Sequence, residues 1–95
     1  MSTELNSREK IKRNMEVAME WVDKLDCLIV SVSVYKFGVT IMVNEYSVEY
    51  SFKLSKKILD IANEKGLSFD VERSSRNNYL YYTCSDIGLD IVLSN

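Results

Sequence analysis

The sequence contains no histidine and no proline, only three glycines and two cysteines, and no apolar run near the roughly 20 residues that cross a bilayer. Without histidine, the commonest general base is missing, and with it the Ser-His and Cys-His nucleophile pairs and every zinc site built on imidazole. Without proline, and with so little glycine, there is neither a flexible linker nor a proline-rich ligand segment. Cys27 and Cys84 stand too far apart for a CxxC redox or zinc pair, and two thiols make half of a tetrahedral site. They are expected to be reduced, buried and inert. Phosphate-cradling glycine loops, nucleotide fingerprints, nucleophile elbows and metal-ligand spacings are also missing. These absences predict a protein that is not an enzyme, with no catalytic residue, metal ligand or cofactor to assign. Met1-Ser2-Thr3-Glu4 is polar and lacks the apolar segment of a secretory leader, so a cytoplasmic location is expected.

What the chain does contain is enough to fold. Its 95 residues are 46% hydrophobic and 27% charged, a globular balance that fits one domain over 1–95, with 1–5 a frayed N-terminus. Twelve Lys and Arg against fourteen Asp and Glu leave a formal charge of −2. That provides neither the basic excess of a nucleic-acid binder nor the acidic excess of a DNA mimic. Direct nucleic-acid binding and membrane contact are not expected.

From Asn6 to about Leu25, Ile11, Met15, Ala18, Val22 and Leu25 recur at helical spacing, and Asn6 with Glu9 reads as a capping box. This places Ile11, Met15, Ala18 and Val22 against the core, Trp21 at the margin of the stripe and Val17 outside it. Cys27–Tyr35 is rich in β-branched residues and reads as a strand with Leu28, Val30, Val32 and Val34 on one face. Gly38 allows a reversal into its antiparallel partner, where Val39, Ile41 and Val43 alternate with Thr40 and Met42. Tyr46–Lys53 alternates with a period of two and predicts a third strand, with Tyr46, Val48, Tyr50 and Phe52 on the inward side and Ser47, Glu49, Ser51 and Lys53 toward water. A short helix follows, capped by Ser55 and ended by Gly66, with Leu67 folding back on Ala62. Ser68–Ser74, Tyr79–Cys84 and Leu89–Leu93 read as the closing strands. The expected fold is α+β, a single-layer and mostly antiparallel sheet of five to six strands in the order α-β-β-β-α-β-β-β, with two helices on one face.

The other sheet face would then meet solvent. Asp70 and Glu72, with Glu49, could form a carboxylate group for acid/base work or a cation, but alternation on a wet face explains them more simply. Arg8, Lys10, Lys12 and Arg13 form a basic run, yet interspersed glutamates make it an ordinary solvated helix face. Tyrosine carries more functional colour, because six tyrosines and Trp21 are the stiff amphipathic side chains enriched at interfaces. Tyr46, Tyr50 and Tyr82 alternate with core positions and read as strand residues. Tyr35, Tyr79 and Tyr81 point outward on the same reasoning, with Arg73 and Arg76 beside the intervening turn. These five residues form the expected partner-binding patch.

The function expected from this pattern is a small binding protein that inhibits or modulates a larger protein partner, with a homodimer as one form it can take. By size and composition it is analogous to phage or mobile-element inhibitors of host defence, such as anti-CRISPR proteins, or to toxin immunity proteins. The alternative is a dimer that sequesters a small nucleotide-like anion using Arg73, Arg76 and stacked tyrosines.

Overall fold

Helix α1 spans Ser7–Leu25 and begins as its capping residues dictate: the Glu9 amide donates to Asn6 Oδ1 at 2.9 Å. The Glu9 carboxylate answers by accepting from the Asn6 side-chain amide at 3.4 Å. Strands β1 (Ile29–Tyr35) and β2 (Gly38–Asn44) follow, then α2 (Val48–Lys65), β3 (Asp70–Arg73), β4 (Leu80–Cys84) and β5 (Leu89–Ser94). The computed structural model of the chain describes residues 6–26, 29–44, 48–77 and 79–94, and the side chains of all of these except 48–51. The expected fraying of 1–5, the burial of Cys27, the inward face of Leu28 and the core role of Tyr46 lie outside the described residues. The same holds for the side chain of Tyr50.

The protein is an α+β fold in which two helices pack on one face of a five-stranded sheet ordered β1-β2-β5-β4-β3. Three of the four pairings are antiparallel, and β2 with β5 is parallel. The elements come in the expected order except that the extra strand over Tyr46–Lys53 is replaced, from Val48 onward, by the first turns of α2. Helical burial explains the correction: Leu54, Ile58, Ile61 and Ala62 are buried along one stripe, whereas Phe52, inward in the strand reading, is 72% exposed. Ser55 is therefore not an N-cap but a position inside α2, where its hydroxyl hydrogen-bonds the hydroxyl of Tyr82 on β4. The predicted end of α2 is present. Leu67 N–H donates to Ala62 O at 2.8 Å and Gly66 N–H to Asn63 O at 3.2 Å, a Schellman closure with Gly66 at φ +71.

Register aligns Val34, Val39, Leu89 and Cys84 in one row across the sheet, and Val32, Ile41, Ile91, Tyr82 and Val71 in the next. The middle strands of these rows are buried and form a single core with Trp21, Leu25, Leu54 and Ile58, while Val32 and Val71 at the sheet edges stay exposed. Cys84 is a free thiol, fully buried, as expected. Helix α1, however, is turned from its expected orientation. Its buried residues are Asn14, Ala18, Trp21 and Leu25, while Ile11 and Met15 are 37% and 50% exposed. The largest side chain of the helix takes the core, its ring edge-on to Phe69 at 5.5 Å between centroids. Asn14 fixes that rotation by donating to Tyr35 O at 2.8 Å and Lys36 O at 3.4 Å at the end of the β1–β2 hairpin. Among the described residues, no helix is long and apolar enough to cross a membrane.

Candidate functional site

The β3–β4 hairpin projects its connection at one edge of the sheet, and local hydrogen bonds hold the connection in shape. Ser74 N–H donates to Tyr79 O at 2.9 Å, closing the loop. Within it, Arg76 N–H donates to Ser74 Oγ at 3.3 Å and Tyr79 N–H to Asn77 Oδ1 at 3.0 Å. These are the side-chain-to-backbone bonds that Ser and Asn supply in turns.

Arg73, Arg76 and Tyr81 line one hollow of about 440 Å³ at this tip, together with Glu72, Ser74 and Ser75. Arg73 ends β3 opposite Leu80, and Tyr81 stands opposite Glu72 in the antiparallel register. Tyr82 is buried at 4% exposure, so the neighbouring Tyr81 faces away from the helices, as alternation requires. On that outer face Tyr81 flanks Val92, which in turn flanks Met42. Val92 is buried although the helices lie on the opposite side, so the longer side chains beside it must cover it. Tyr79 is half-buried just before β4 and adjoins the hollow through the loop-closing bond of its carbonyl.

Tyr35 does not join them. It ends β1, and β1 and β3 are opposite edges of the sheet, four strand spacings or roughly 19 Å apart. The patch read from alternation is thus three residues gathered in one hollow, a fourth adjoining it and a fifth at the far side. Alternation assigns a face; it carries no information on strand order. The carboxylate grouping fails for a related reason, since Glu49 belongs to α2 rather than to the sheet. Asp70 and Glu72 are exposed on β3, and no group of three metal-capable side chains occurs among the described residues.

A second surface escaped the sequence reading. Between α1 and β1 runs a groove of about 300 Å³ lined by Met15, Ala18, Met19, Val22, Val32 and Val34, with Asp23 at its rim. The signal for it was present in the four-residue step from Met15 to Met19. Once Trp21 takes the core, both methionines are left beside the edge strand. No protein-family model matches the chain, and neither a curated protein nor a solved structure matches it.

Proposed function

We propose that the protein is a non-enzymatic binding protein that engages a larger protein through the β3–β4 tip, with Arg73, Arg76, Tyr79 and Tyr81 as the contact residues. The observation that carries this reading is the gathering of two guanidinium groups, two serines and a tyrosine around one hollow on a hydrogen-bonded tip. Arginine offers planar multidentate donors suited to carboxylates, and tyrosine adds stiff apolar area at low entropic cost, the pairing typical of interface hot spots. A tip already held in shape loses little freedom on binding, which favours affinity. The preferred partner surface is acidic and presents a shape that fills the hollow. Occupancy would inhibit or modulate that partner in the cytoplasm, in the manner of a mobile-element inhibitor of host defence or an immunity protein. A small anionic ligand is the second reading, because the hollow is within the size range of ligand pockets. Glu72 on its wall opposes a free anion held inside the hollow, whereas a protein surface that is acidic overall can set one cationic side chain against it.

The test is capture from lysate with the parent and with Arg76→Ala combined with Tyr81→Ala. A stoichiometric protein is expected with the parent and at least about 30-fold weaker with the variant, the loss from one hot spot of ~2 kcal/mol. Far-UV circular dichroism should be unchanged, because Arg76 is exposed and Tyr81 only half-buried. Equal capture by a folded variant removes the proposal, and a co-purifying small anion in place of a protein selects the second reading.

A further inference from the structure

Of the ten exposed large apolar side chains among the described residues, six lie on α1 or β1: Ile11, Met15, Met19, Val30, Val32 and Tyr35. Three of them, Met15, Met19 and Val32, line the groove between the two elements, and β1 is an edge strand whose outer side has no neighbour in the sheet among the described residues. Edge strands are ordinarily guarded by charge or proline, and β1, reading Ile-Val-Ser-Val-Ser-Val-Tyr, has neither. We propose that this edge is the interface of a homodimer in which β1 pairs antiparallel with β1 of a second copy, about a two-fold axis through Ser33.

The strand is suited to self-pairing because it reads nearly the same in both directions. About Ser33, Val32 meets the partner's Val34 on the helix-covered face, and Ser33 meets the partner's Ser33 on the other. The irregularity in β1, between Ile29 and Ser31, falls outside the paired stretch 31–35. The helices follow the same axis. The bond from Asn14 to Tyr35 O and the lining of the groove run α1 antiparallel to β1. With a rise of about 1.5 Å per residue on the helix and about 3.3 Å on the strand, the level of Ser33 corresponds to Ala18 and Met19. The two-fold therefore sets Met19 against the partner's Met19, and Met15 against the partner's Val22. Methionine is the side chain best able to fill the irregular gap between two such helices.

Charge selects this arrangement over an unrelated occupant. On the flank of α1 that faces the groove, Arg8 and Lys12 lie in the first half, and Asp23 lies near the end with Asp26 just beyond it. A helix with opposite signs at its two ends is complementary to its own antiparallel copy, and the axis at Ser33 brings Lys12 beside the partner's Asp23 and Asp26. Area is consistent as well. The partly exposed apolar side chains amount to on the order of 500 Å² per copy, at the upper range of patches on monomers. With the strand backbone and charged rim added, this approaches the ~800 Å² per partner of a standard interface. The result is a continuous sheet of two five-stranded halves, with the β3–β4 tips at its far ends. This inference is independent of the proposed tip function, because it uses the opposite edge.

Sedimentation velocity of the full chain across micromolar concentrations is expected to show a species of twice 11.0 kDa. In a Cys27→Ser background, Ser33→Cys should cross-link two copies on mild oxidation, because facing Cα atoms about 4.5–5.5 Å apart lie within the disulfide window. Ser31→Cys, opposite the partner's Tyr35, should not. Met19→Lys places two ammonium groups together and should weaken the dimer at least about 10-fold. Lys12→Asp should weaken it too, and adding Asp23→Lys with Asp26→Lys in the same chain should restore it. A monomer at every concentration overturns the proposal, including one whose edge instead captures an extended peptide. So does a dimer in which Ser31→Cys cross-links as readily as Ser33→Cys. If Met19→Lys fails to fold, the cysteine pair still decides.

Discussion

A methyl group added at Gly38 has nowhere to go. Its Cβ would sit 2.0 Å from the carbonyl oxygen of Gly88, the same oxygen that accepts from Val39 N–H at 2.8 Å. Gly88, at φ +64, faces Phe37 O with its own Cβ position only 2.7 Å away. Both sides of the contact are backbone, so no side chain can swing aside. Gly38→Ala is therefore expected to cost about 3 kcal/mol or more, lowering the melting temperature by over ~10 °C. Gly66→Ala, with a left-handed backbone but open space around it, should cost only about 1 kcal/mol. Thermal melts of the two variants check the contrast, and equal losses would show that the Gly38–Gly88 approach relaxes. Sequence reading assigned Gly38 to a chain reversal. The reversal is made by Lys36 and Phe37, and Gly38 has no positive φ. Its requirement comes from a neighbour some fifty positions away, which no local pattern reveals.

At the scale of elements, α1 is tied to the β1–β2 hairpin by one buried polar residue. Asn14 is 3% exposed, and its amide supplies the bonds to Tyr35 O and Lys36 O. Asn14→Ala leaves those carbonyls without that donor and should lower stability by about 1–3 kcal/mol in urea titration. A variant as stable as the parent would mean that Trp21 alone sets the rotation of the helix. The existence of α1, the β1–β2 hairpin, β4, β5 and the Gly66 stop was legible, because each rests on local periodicity and capping. The first turns of α2 were not. Val48, Tyr50 and Phe52 favour strands and alternate with polar residues, but α2 follows the longer apolar stripe from Leu54 to Ala62. The rotation of α1 was missed because an Asn at position 14 reads as polar, and only the hairpin carbonyls make it an interior residue. The tip was legible as Arg73, Arg76 and Tyr81. Tyr35 was misplaced because strand order is a long-range property.

For the whole molecule, one core joins both helices to β2, β4 and β5, so these elements are expected to unfold as one cooperative unit. Trp21, the only tryptophan, is fully buried in that core and reports on it. Its fluorescence and the far-UV circular dichroism are expected to change together through a urea transition. Separated midpoints would indicate that α1 detaches before the sheet. The position of β5 has a further consequence, for the order of assembly. The β1–β2 and β3–β4 hairpins close over short loops, but neither touches the other: β5 sits between them, antiparallel to β4 and parallel to β2. The pairing of Val39 with Leu89 spans about fifty residues, so its loop-closure cost falls late. Because β5 closes on β4 over the four residues 85–88, the chain before that pairing holds a β1–β2 hairpin and a β3–β4–β5 meander, with β2 and β5 as their bare inner edges. The vulnerable species in folding is thus a hairpin and a meander with one open edge each, and damage to the outer side of β5 would leave both edges bare.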